Sequence, residues 1–242
     1  MKKFLVLALI LPILMFSQEE DGPILTVYQF TIKEGHQKKF YDGMEKWKKC
    51  YVDNGGKNEW NVWNRLQGKG NAVGISFFND NWAAFDENSE PQISEKCDPI
   101  VFAEIMPAIE SSETTISRLL PRWTRETPTN HPVLWITYFD VDNGADFRSV
   151  VNDVNSVYRK HAKDRMGTWF NVIGGEGPDY FVVSTFENFA AMDEDNDGPW
   201  DFYAKEHGEA KMNEMRNKFR NSLEKSWSYI YRRNDNLSHN NN

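Results

Sequence analysis

The sequence predicts an α+β fold in which one β-α-β-β-α-β unit occurs twice in succession. Three observations carry this expectation. Strand-like blocks recur: Leu25 to Ile32 (LTVYQFTI) aligns with Leu134 to Val141 (LWITYFDV), 109 residues on, and a glycine, Gly35 or Gly144, follows each three residues later. A helical stripe recurs as well, since Phe40, Met44, Trp47 and Tyr51 have the same i, i+4, i+7, i+11 spacing as Phe147, Val151, Val154 and Tyr158, 107 residues later. Finally, VWNRLQGKG (Val62 to Gly70) matches WFNVIGGEG (Trp169 to Gly177), and WAAFDE (Trp82 to Glu87) matches FAAMDE (Phe189 to Glu194), in the same order.

Within the first unit, Ile24 to Lys33 alternates and is rich in β-branched and aromatic residues, which is strand chemistry. The Phe40 to Tyr51 stripe marks an amphipathic helix that Asn54-Gly55-Gly56 stops. Two strands, about Asn58 to Gln67 and Ala72 to Phe78, flank the glycine-rich connector GKGN of a hairpin. A long connection, Asn79 to Asp98, leads to a short helix, Ile100 to Ile109, and a last strand near Thr114 to Arg122.

The second unit repeats that order, with strands near Val133 to Val141, Thr168 to Ile173, Tyr180 to Phe186 and Lys225 to Arg232. Its second helix is longer: Trp200, Ala204, Gly208, Met212, Met215 and Phe219 form one apolar stripe through Trp200 to Leu223. The expected organisation is a leader (1–18), a first repeat (19–123), a linker (124–131), a second repeat (132–233) and a disordered polar tail (234–242). Both sides of the first strands carry apolar residues, Val27 beside Tyr28 and Phe30, and Ile136 beside Trp135 and Phe139. A sheet covered on one face alone would alternate more cleanly, so the two sheets are expected to pack on each other.

Lys2 and Lys3 precede an apolar run of 13 residues, Phe4 to Phe16, and then the polar SQEED. That is a secretory signal pattern with cleavage near Ser17 or Gln18, and the run is too short to span a bilayer, which takes about 20 apolar residues. An exported protein, periplasmic or secreted, is therefore expected, with no integral membrane segment after cleavage. The formal charge of −8 becomes −10 without Lys2 and Lys3, which argues against nucleic acid as a partner. The two cysteines, Cys50 and Cys97, form either a disulfide, as export would favour, or buried apolar positions.

In its repeated strands, element order and glycine hairpins, the chain resembles the dimeric α/β barrel superfamily, which includes the antibiotic-biosynthesis monooxygenase type and the NIPSNAP-like proteins. The resemblance spans roughly Ile24 to Arg233. It implies two ferredoxin-like repeats whose antiparallel sheets pack together as an intrachain dimeric α/β barrel. The superfamily holds oxygenases, haem enzymes, isomerases, stress-response proteins and domains with no known reaction, so the fold does not set the chemistry.

Few motifs carry chemistry. Asp193, Asp195 and Asp197 alternate before Gly198, as oxygen ligands do at the start of a calcium loop, but the closing Glu is missing, because position 204 is Ala. The competing reading is an acidic loop ahead of a helix N-terminus. The histidines do not cluster; His207, next to Glu206 and the apolar stripe, is the one candidate for acid/base work or haem ligation. Tyr28, Trp63, Asn64, Trp135, Trp169 and Asn171 are candidates to line a ligand cavity, against core packing as the plain alternative. The expected function is a non-catalytic exported protein that binds a small apolar or aromatic molecule or assembles as a homo-oligomer, with no cofactor. The alternative is a cofactor-independent monooxygenase or a haem-binding enzyme.

Overall fold

The computed structural model describes residues 22–86, 90–125, 130–194 and 196–240. The expected leader, the middle of the linker and Asp195 lie outside these residues. The first half runs β1 (Ile24–Ile32), α1 (Gln37–Asp53), β2 (Asn61–Arg65), β3 (Asn71–Asn79), α2 (Pro91–Ile100) and β4 (Ile109–Leu119). The second runs β5 (Val133–Val141), α3 (Gly144–Ala162), β6 (Thr168–Val172), β7 (Tyr180–Phe186), α4 (Pro199–His207), α5 (Glu209–Asn221) and β8 (Leu223–Arg233).

The eight strands close into one barrel in the order β1-β3-β2-β8-β5-β7-β6-β4, with every neighbouring pair antiparallel. The expected intrachain barrel is thus formed by four-stranded sheets joined edge to edge and not packed face to face. Two short seams make the closure. Trp63 to Arg65 of β2 pairs with Tyr231 to Arg233 of β8, and Ser117 to Leu119 of β4 with Phe170 to Val172 of β6. Closure gives every strand two neighbours, which shortens the open edges that template aggregation.

Strand alternation then sorts side chains. Phe30 and Ile32 of β1 turn outward to pack with Phe40 and Met44 of α1, whereas Leu25, Val27 and Gln29 turn inward. The helices cover the outside of the barrel in two separate cores. One gathers around Phe40, and the other around Phe147 with Phe139, Trp169 and Phe219. Among the described residues, no helix is long and apolar enough to cross a membrane.

Three elements depart from the sequence reading. Helix α2 starts at Pro91, well before Ile100, because Pro91 sits at the first helical turn, where its missing N–H costs nothing. Pro99 inside it removes a donor, and the chain continues as a π-type turn, Val101–Ile105. The long apolar stripe of the second half is divided at Gly208, whose φ of +85° ends α4 and lets α5 leave at a new angle.

The third departure is the C-terminal segment, which is docked where a disordered tail was expected. Leu237 is 2 % exposed within the core of the first half. The Trp60 indole N–H donates to the Leu237 carbonyl at 2.9 Å, Trp60 and His239 exchange two backbone hydrogen bonds, and the Lys48 ammonium donates to the carbonyls of Asn236 and Ser238. Burial holds the Lys48 amine below its ordinary pKa. On the neighbouring face, Cys50 of α1 and Cys97 of α2 are joined in a disulfide, with Cα atoms 5.8 Å apart.

Candidate functional site

The inward residues of the eight strands enclose a lumen of about 300 Å³. Every strand contributes, because on each the positions of one parity face the axis: Leu25, Val27 and Gln29 on β1, Leu134, Ile136 and Tyr138 on β5, Trp227, Tyr229 and Tyr231 on β8.

The register makes the two half-walls comparable. Gln29 faces Gly74 across β1 and β3, just as Tyr138 faces Phe181 across β5 and β7. Ser76, opposite Val27, corresponds to Val183, opposite Ile136. Glu113, Thr115 and Ser117 of β4 likewise take the places of Trp227, Tyr229 and Tyr231 of β8. At these equivalent positions the first half thus supplies more amide, hydroxyl and carboxylate groups and the second more rings, while Trp63 and Phe78 add rings to the first-half wall.

The rings are packed against one another. Tyr138 stacks on Trp227 at 5.5 Å and contacts Phe181 at 5.8 Å, and Phe170 stacks on Phe181 at 4.8 Å. Polar groups interrupt this apolar surface at a few points. The Tyr138 and Tyr231 hydroxyls lie 3.4 Å apart, the Tyr231 hydroxyl donates to Gln29 Oε1 at 3.4 Å, and the Trp63 indole N–H donates to Ser76 Oγ at 2.8 Å. Burial pushes the Tyr138 phenol well above its ordinary pKa and raises that of Tyr231. Both phenols are therefore neutral near pH 7, and serve as hydrogen-bond donors and acceptors without charge.

Of the six residues expected to line a cavity, Trp63 alone lies on the lumen wall. Tyr28 and Trp135 have the opposite parity and are 40 % and 42 % exposed on the outside of the barrel. Trp169 is buried in the outer core of the second half, stacked on Phe139 at 5.5 Å. Asn64 accepts a hydrogen bond from Tyr41 of α1, and Asn171 donates to the Asp179 carbonyl, so both are engaged outside the lumen. Trp227, Tyr229, Tyr231, Gln29 and Ser76 were missed. Strand parity was the signal that would have found them, and it was obscured because both faces of these strands are covered.

Of the acidic loop, Asp195 lies outside the described residues. Asp197 pairs with the Lys205 ammonium, and Asp201 Oδ2 accepts from the Gly198 N–H at 2.7 Å as a helix cap. Among the described residues no three acidic, histidine or cysteine side chains converge as metal ligands. His207 lies on the outer surface of α4, its side chain 40 % exposed and its ring 4.6 Å from that of Tyr203, away from the lumen. It is not placed for acid/base work on a bound ligand.

Neither a family model nor a curated protein matches the chain. Solved structures do. A candidate monooxygenase from Lactobacillus acidophilus superposes with a TM-score of 0.54 at 12 % identity, over 88 % of this chain and 94 % of that one. An anthrone oxidase-like protein gives 0.51 at 11 % identity, over 89 % and 93 %. The fold is that of the dimeric α/β barrel superfamily. A chlorite dismutase variant from Candidatus Nitrospira defluvii, in complex with cyanide, gives 0.55 at 7 % identity, over 90 % and 93 %.

Chlorite dismutases are haem enzymes, and this overturns the expectation that absence of a cofactor is the default for such a chain. The residues present do not fit haem, however. A lumen of about 300 Å³ is at the small end of ligand pockets and has no room for a porphyrin with its propionates. The layer between sheet and helices in the second half is filled by Phe139, Phe147, Trp169 and Phe219. Among the described residues His131 is the single histidine on the lumen wall, and His207 faces outward.

Proposed function

We propose that the chain binds a small aromatic molecule in the lumen of its barrel and oxidises it. The observation that carries this reading is the lumen itself: an aromatic half-wall for a flat ring, faced by a polar half-wall for its substituents, in about 300 Å³. The monooxygenase-type and anthrone oxidase-like neighbours of the same fold support oxidation over the purely non-catalytic binding first expected. Ring stacking would fix the plane of the substrate, and the neutral hydroxyls of Tyr138 and Tyr231 would hold a polar substituent without charging it.

Anthrone is a direct test. With air as oxidant its central CH2 carbon loses two hydrogens and gains one oxygen atom of O2, and the other oxygen leaves as water, giving anthraquinone. The purified chain is expected to accelerate this conversion, and Phe181→Ala, which opens the aromatic wall, to slow it several-fold. A rate equal to that in buffer, with no quenching of tryptophan fluorescence by anthrone, would sink the reading.

The same reading takes the two halves as fused copies of one ferredoxin-like unit, supported by the recurring element order and the equivalent registers. It also takes the chain as exported. The Lys2 to Phe16 pattern and the bonded Cys50–Cys97 pair, suited to an oxidising compartment, support that placement. Expression of the full chain in a bacterial host, with fractionation and intact mass, tests it: export predicts a shortened, oxidised product outside the cytoplasm.

A further inference from the structure

We infer that Gln29, standing over Gly74, forms a niche in the lumen wall that receives the carbonyl oxygen of an aromatic ketone or quinone. This inference rests on the lumen being the binding site. The niche appears when the two half-walls are compared. Where the second half fills its wall with Tyr138 and Phe181, the first half has an amide and no side chain at all. A Cβ added at Gly74 would meet only Val27 at 3.8 Å and Trp63 at 4.0 Å, so the space beside Gln29 is open.

The hydrogen bonds orient the amide. Tyr138 donates to Tyr231, and Tyr231 donates to Gln29 Oε1, each at 3.4 Å. With its oxygen so engaged, Gln29 has its Nε2 hydrogens left to give, and among the described residues no group accepts them. Hydroxyls linked in a chain polarise one another, and here the polarity runs toward the amide N–H. An N–H donor facing the lumen is well matched by a carbonyl oxygen, and a site built around such a donor discriminates against the analogue that lacks the acceptor. The second-half rings hold the hydrocarbon part, and the first-half niche reads the oxygen.

Equilibrium dialysis of 9-fluorenone and of fluorene, which differ only by C=O against CH2, separates the possibilities. Gln29→Leu is expected to weaken fluorenone by about tenfold while changing fluorene by less than about twofold. Gln29→Glu, of the same size but without the N–H donor, should act in the same direction and guards against a packing effect. Gly74→Val, which fills the niche, should also weaken fluorenone the more. Equal responses of the two ligands to both Gln29 variants would overturn the niche and leave the lumen as a binding site. If the unaltered protein retains neither ligand, the lumen reading falls and the niche with it.

Discussion

The two halves of the barrel build the same elements in the same order and hold them by different means. In the second half, Phe147 lies among the rings of Trp123, Phe139, Trp169, Tyr180 and Phe219. Its first-half counterpart, Phe40, is just as buried but has two ring neighbours, Phe30 and Tyr41. The first half instead carries the Cys50–Cys97 disulfide and the docked C-terminal segment. The inner faces lean the same way, with more rings in the second half and more polar groups in the first. The half with the more polar wall is thus the one in which covalent and C-terminal ties supplement a ring cluster of Trp47, Tyr51 and Trp60.

The strongest test of this comparison is to truncate both phenylalanines. Phe147→Ala is expected to cost about 5 kcal/mol and Phe40→Ala about 1 kcal/mol less, since each lost ring pair adds to the cavity term. Urea unfolding midpoints measure both, and equal losses would break the contrast. Next comes the disulfide: replacing Cys50 and Cys97 by Ala together should remove about 4 kcal/mol by chain entropy, for a sequence separation of 47. An unchanged thermal midpoint under reductant would show that the first half does not depend on this tie. Leu237→Ala should follow at about 3 kcal/mol, as for any buried leucine, with the loss felt in the first-half core.

The smallest expected effect is electrostatic. Burial first, and then the hydrogen bond to the Glu90 carboxylate, push the Tyr51 phenol up to about 12. A folded pKa above the unfolded one gives stability that is complete below pH 10 and is lost as pH rises through 12. Tyr51→Phe should therefore flatten part of the alkaline loss between pH 10 and 12, at the cost of about 1 kcal/mol near neutral pH for the hydrogen bonds of the phenol hydroxyl with Glu90 and the Asn58 N–H. An alkaline profile unchanged by the substitution would remove Tyr51 from that account.

Strand chemistry was legible wherever β-branched and aromatic residues ended at clear turn signals: β5 and β7 were read with both ends correct. The tail was not, because a polar, asparagine-rich composition hides one buried leucine, Leu237, and backbone pairing at Trp60 that no composition reveals. The site was least legible. Tyr28 and Gln29 are adjacent, and the aromatic residue drew attention although the amide is the one that faces the lumen. When helices cover one face and a ligand chamber the other, hydrophobicity alone does not say which parity points inward.

Leu237 belongs to a core built otherwise from residues near the start of the chain. A polypeptide leaving the ribosome amino end first must therefore hold that core unfinished until Leu237 emerges. The half that is made first is the last to be completed.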